Sequence, residues 1–98
     1  MFKITFGKGF HMTFPNGVTV SVQFGSGNYC DNRWKFAEEF TKNEILGCPN
    51  AEVAVWDRDG NWILREYNPE LSDDVDGWQT PEQVLALLNW AANYKGDN

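Results

Sequence analysis

The sequence predicts an α+β fold, an antiparallel sheet of two β-hairpins with four to five strands packed against a C-terminal amphipathic helix. Two observations carry the sheet and one carries the helix. Asn16-Gly17 stands between two runs of alternating apolar and polar residues, and Asp59-Gly60 stands between two more apolar runs. Such dipeptides are the strongest short-range hairpin signals. Near the C-terminus, Thr80-Pro81-Glu82-Gln83 opens a stretch whose apolar residues recur at helical spacing. With 98 residues, of which 42% are apolar, the chain is sized for a single small domain, 1–98, around one core.

The elements follow in order. Phe2, Ile4 and Phe6 alternate and are stopped by Gly7 and Gly9, so an early strand is expected here. Phe10, Met12 and Phe14 alternate with His11 and Thr13, and Val18, Val20, Val22 and Phe24 alternate with Thr19, Ser21 and Gln23. A period of two marks a strand with one apolar face, so residues 9–14 and 18–24 form the first hairpin. Residues 34–46 carry Trp34, Phe36, Ala37, Phe40, Ile45 and Leu46 without a clean period; a short helix and an irregular cover both fit. Gly47-Cys48-Pro49-Asn50 is a turn. Ala51–Asp57 reads as a buried strand, Arg58–Asn61 as the second hairpin turn, and Trp62–Tyr67 as the returning strand. Residues 68–79 read as an acidic linker. Thr80 is the N-cap, Pro81 suits the first helical position and Gln83 completes a capping box, so a helix is expected over 81–94, ended by Gly96.

The net charge is −6, unevenly spread: residues 1–35 sum to +3 and residues 36–98 to −9. A general nucleic-acid binder shows a basic face, so no direct nucleic-acid contact is expected. No run approaches the roughly 18 apolar residues of a membrane span, and the opening Met-Phe-Lys-Ile-Thr-Phe-Gly-Lys lacks the apolar region of a signal peptide. A cytoplasmic setting with Cys30 and Cys48 as free thiols is expected, with a disulfide between them as the alternative.

The densest chemistry lies at Gly25-Ser26-Gly27-Asn28-Tyr29-Cys30-Asp31-Asn32-Arg33, directly after a strand. Loops on rigid strands are where binding residues concentrate. Gly25, Ser26 and Gly27 can form a backbone nest for an anion. Arg33 and Lys35 add charge, and Tyr29 or Trp34 can stack on a base. With Asn28, Asp31 and Asn32 these residues make a candidate site for a nucleotide-like ligand. The alternative is an ordered loop in which Asn28, Asp31 and Asn32 cap their own backbone. The stretch is neither a Walker loop nor a dinucleotide fingerprint.

Cys30 as a nucleophile would need a base within reach; Asp31 is adjacent in sequence and His11 lies on the adjoining hairpin. One His and two distant Cys lack zinc-ligand spacing, so neither metal nor cofactor is expected. Asp57-Arg58-Asp59-Gly60-Asn61 echoes the start of a calcium loop but lacks the distal Glu. Glu38-Glu39 and Asp73-Asp74 read as solvated charge. Five Trp residues are expected to be mostly core, with Trp56 and Trp62 cross-strand partners and Trp78 a staple beside the helix cap. Trp34 and Trp78, together with Asp73, Asp74 and Asp76, are the candidate partner-binding residues.

The run from Asn16 to Asn32, with Ala51–Asp57 and the Pro81-Glu82 helix start, resembles a motif in small bacteriophage and prophage proteins that have no assigned activity. The resemblance spans most of the chain and carries no functional residue with it. It implies a context in which small acidic proteins without catalytic residues blunt a host system. The expectation is therefore a non-enzymatic phage protein that binds a host protein. The alternatives are sequestration of a nucleotide-like signal in the 25–35 loop, at a subunit interface of a homo-oligomer, and an enzyme using Cys30.

Overall fold

The computed structural model describes residues 1–5, 8–36, 38 and 47–96. Among these, five strands form one antiparallel sheet in chain order: β1 (Phe2–Ile4), β2 (Gly9–Thr13), β3 (Thr19–Gln23), β4 (Ala51–Trp56) and β5 (Val75–Gln79). Two helices, α1 (Leu64–Tyr67) and α2 (Pro81–Ala92), complete the described elements. The α+β architecture with its C-terminal helix is as the sequence predicts. The readings placed on Phe6, Gly7, Ala37 and residues 39–46 lie outside the described residues.

The first hairpin forms where expected. Phe14 N–H bonds the Val18 carbonyl at 2.9 Å, and Gly17 adopts φ +85°, a conformation open to glycine at little cost. The register pairs Thr13 with Thr19, whose hydroxyls bond at 2.8 Å. Val18, Val20 and Val22 point into the core with Ala51, Val53 and Val55 of β4. Thr19 and Ser21, on the opposite face, are buried as well. β3 is the central strand, so neighbours on both sides shield its polar face. The hydroxyls stay satisfied, Ser21 accepting from Gln23 Nε2 at 3.2 Å.

The second hairpin is corrected. The turn exists: Asp57 N–H bonds the Asn61 carbonyl at 2.8 Å, and one Asp57 oxygen accepts the Asp59 and Asn61 N–H groups. The return, however, is a single bridge between Trp56 and Trp62, and Leu64–Tyr67 is helical rather than a strand. Ile63, at the helix N-cap, and Leu64, its first residue, are both buried in the core. Leu, Arg and Glu are good helix formers. The edge of β4 goes instead to β5, inside the stretch read as a linker.

α2 is held at both ends. Thr80 Oγ1 accepts the Gln83 N–H at 3.3 Å while Gln83 Oε1 accepts the Thr80 N–H at 2.8 Å, closing the capping box. At the far end, Asn16 Nδ2 donates to the carbonyls of Ala91 at 2.9 Å and Tyr94 at 3.1 Å. Leu87 and Ala91 face the sheet and are fully buried.

The tryptophans are also corrected, because none of the five is fully buried. Trp34 is 84% exposed, Trp62 52% and Trp78 49%. The gap between one helix and the sheet is filled by Val, Ala, Leu and Ile. Trp90 packs between Tyr67 and Tyr94, each at 5.2 Å. Trp56 and Trp62 do pair across the turn, 5.4 Å apart.

Candidate functional site

The loop after β3 hangs over the end of the sheet where β4 begins and β5 ends. It is tied down by its own side chains. Asn28 Oδ1 accepts the Gly25 N–H at 3.0 Å, and the Asn28 carbonyl accepts the Cys30 N–H at 2.9 Å. Gly27 N–H bonds the Arg33 carbonyl at 3.0 Å, and Arg33 N–H returns to the Cys30 carbonyl at 3.0 Å. Asn32 is buried and donates to the carbonyls of Phe24 at 2.9 Å and Gly47 at 3.2 Å. Asp31 N–H bonds Asn50 Oδ1 at 2.8 Å.

Glu52, on β4, completes the tether. Its carboxylate accepts the Tyr29 N–H at 2.9 Å and lies 3.5 Å from Asn28 Nδ2. Glu52 thus brings an internal carboxylate to the Asn28–Tyr29 part of the loop. Around the nest expected from Gly25-Ser26-Gly27, the N–H groups of Gly25, Gly27, Asn28 and Tyr29 are engaged within the molecule. Asn28 and Asn32 brace the loop, as the capping alternative expected, and Ser26 is half-buried beside them.

What the loop presents outward is aromatic and cationic. The Arg33 guanidinium carbon lies 4.5 Å from the Tyr29 ring centre and 5.0 Å from that of Trp34. Its NH1 is fixed on the Gly27 carbonyl at 3.0 Å. Tyr29 meets Trp78 at 6.0 Å, with ring planes 32° apart. Trp34, Arg33, Tyr29 and Trp78 therefore form one row across two separate parts of the chain.

Trp78 reaches this row through an irregularity in β5. The register steps from Ala51–Gln79 to Val53–Asp76, giving β5 one extra residue there. Such a bulge re-aims a side chain. Trp78 sits at φ +50°, the one positive value among the described non-glycine residues, a region costly for a bulky side chain. Its N–H leaves the ladder for the Tyr29 carbonyl at 2.8 Å. Gly77 makes room, since a Cβ there would stand 2.6 Å from the Tyr29 Cβ. The staple expected of Trp78 is replaced by this contact.

The expected partner-binding residues are thereby divided. Trp34 and Trp78 come together through Tyr29 and Arg33. Asp73 and Asp74 lie before the opposite end of β5 and face α1: Arg65 Nε is 3.7 Å from the Asp74 carboxylate and donates to the Asp73 carbonyl at 3.3 Å. Asp76 is half-buried on β5 itself. Sequence reading missed Glu52 and Gly77. A lone Glu in an apolar strand carries no signal, while the Gly before Trp78 hints at a close approach.

The thiol and imidazole do not meet. Cys30 is buried, its Sγ 3.7 Å from the Gly25 carbonyl. Burial pushes its pKa up to about 11, and the neighbouring Cys48 adds to the rise, against a downward pull from the Asn32 N–H. His11 stands edge-on to Trp56 at 5.0 Å, its pKa lowered by burial and by Lys3. The Asp57 carboxyl is lowered by hydrogen bonds from Asn61, so the turn itself consumes the acidic alternation. Among the described residues no three His, Cys, Asp or Glu groups converge on a metal position, and no helix is long and apolar enough to cross a membrane. No protein-family model matches this chain, nor does any curated protein or solved structure.

Proposed function

We propose that the protein is a non-enzymatic, phage-encoded binding protein that inhibits a host defence protein in the cytoplasm of the infected cell, using the surface of Tyr29, Arg33, Trp34 and Trp78. The observation that carries this reading is Trp78, held half-exposed in a strained conformation on a bulge and stacked against Tyr29. Backbone strain of this kind concentrates at functional positions. Trp, Tyr and Arg are the residue types that dominate binding energy at interfaces. A row already ordered by its own contacts loses little entropy on docking. The phage context rests on the resemblance of the 16–32 run, and the acidic remainder of the chain favours a target with a basic face.

The test is capture of host proteins from a lysate by the wild type and by Trp34→Ala and Trp78→Ala. The expected result is a specific partner lost from both variants while their thermal stability stays near wild type. A partner retained undiminished by both would overturn the reading. Sequestration of a nucleotide-like signal has the Tyr29–Arg33–Trp34 stack in its favour and the engaged loop amides against it. A thermal shift with nucleotides or cyclic nucleotides that vanishes in Arg33→Ala would move that reading ahead.

A further inference from the structure

Cys30 and Cys48 are far apart in sequence, and the fold brings the segments that carry them together. The Cys48 side chain helps to push the pKa of the Cys30 thiol up. Two hydrogen bonds hold the segments that carry them: Asp31 N–H to Asn50 Oδ1 at 2.8 Å and Asn32 Nδ2 to the Gly47 carbonyl at 3.2 Å. The two thiols differ in access. Cys30 is 1% exposed, whereas Cys48 is half-buried on the turn, its Sγ 3.7 Å from Asn50 Oδ1. An accessible thiol with a second thiol behind it is the arrangement of an attacking and a resolving cysteine.

We propose that Cys48 and Cys30 form an oxidation site, in which Cys48 takes up a small-molecule disulfide of the glutathione class and Cys30 then closes a Cys30–Cys48 disulfide. In the first step the Cys48 thiolate attacks one sulfur of the small disulfide, whose S–S bond breaks and whose other sulfur leaves with the electron pair and takes a proton. In the second, the Cys30 thiolate attacks the Cys48 sulfur and displaces the remaining small thiol, which is protonated in turn. The two cysteine thiols are oxidised and one small disulfide is reduced to two thiols. The product links the loop carrying Tyr29 and Arg33 to the 47–50 turn covalently. Burial keeps the Cys30 thiolate scarce near neutrality, so the second step is the slow one and accelerates with pH.

The test incubates the folded, full-length protein with glutathione disulfide at about pH 7 and about pH 9, then reads intact mass and a peptide map. The expected sequence is one glutathionyl adduct on Cys48, followed by its loss as the internal disulfide appears. Conversion should quicken by up to about tenfold per pH unit while Cys30 remains mostly protonated. Cys30→Ala should arrest at the adduct, and Cys48→Ser should form no early adduct. Three results would overturn the proposal: an adduct that persists on the wild type at about pH 9, a disulfide that forms only in urea, or modification of Cys30 before Cys48. The wild-type map decides the matter even where a variant fails to fold. The readout is chemical, so it stands apart from partner capture.

Discussion

At Glu52 one carboxylate holds the Tyr29 N–H and reaches the Asn28 amide, and through them orients the residues that face outward. A hydrogen bond to a charged acceptor contributes more than a neutral one. Glu52→Ala should therefore lower stability by about 1–2 kcal/mol, read from urea unfolding. It should also speed hydrogen exchange at the Tyr29 amide, while Glu52→Gln, which keeps one acceptor oxygen, loses less. Unchanged exchange at Tyr29 in Glu52→Ala would refute the tether. Gly77 belongs with Glu52. The absence of a side chain there lets the Tyr29 backbone and Cβ approach β5, so the outward row depends on two residues outside it.

Elements are joined by residues whose local role hides a distant one. Asn16 reads in sequence as half of a hairpin turn, and its Oδ1 does accept the Val18 N–H at 3.0 Å. Its Nδ2 meanwhile caps the last carbonyls of α2, 75 residues away in the chain. A helix leaves its final carbonyls without internal partners, and Asn16 supplies donors that α2 lacks in its own last turn, where there is no basic residue. Asn16→Ala should cost about 1–3 kcal/mol by thermal or urea unfolding, since it removes the donor to the Ala91 and Tyr94 carbonyls together with the acceptor of the Val18 N–H. Thr80→Ala at the exposed N-cap should cost about 1 kcal/mol. The reverse ranking would mean that the hairpin does not anchor the helix. α1 shows the opposite relation: the expected returning strand is a single bridge followed by a helical turn, with Ile63 and Leu64 both in the core.

Across the whole molecule, the acidic excess and the aromatic row occupy different places. Asp73 and Asp74 sit with Arg65 at one end of β5, and Trp78 lies near the other. Exposed ion pairs contribute little to stability. Neutralising both carboxylates, Asp73→Asn with Asp74→Asn, should leave unfolding within about 0.5 kcal/mol of wild type. Partner capture should persist, weakened mainly in its rate of association and its salt dependence. Abolished capture would transfer the interface from the aromatic row to the acidic cluster.

What could be read before folding was whatever repeats locally. A period of two marked β2 and β3, a continuous apolar run marked β4, an Asn-Gly turn marked the first connection, and a capping box with a helical period marked α2. Each signal needs only neighbouring residues, so each survives without tertiary context. β5 had no such signal. Asp76 and Gly77 are poor strand formers, and Trp78 leaves the ladder at a bulge, so the strand exists because β4 has an edge to fill. The tryptophans escaped for a similar reason: their size suggested a core that valines and alanines already complete. The sequence by itself determined the antiparallel sheet, the capped helix and the loop that carries the chemistry. Tertiary structure alone decided that Glu52 would tether Tyr29, that the turn carrying Cys48 would lie against the loop carrying Cys30, and that Trp34 and Trp78 would share one face. Those outcomes depend on which distant residues the folded sheet brings within a few ångströms, and no local pattern encodes that distance.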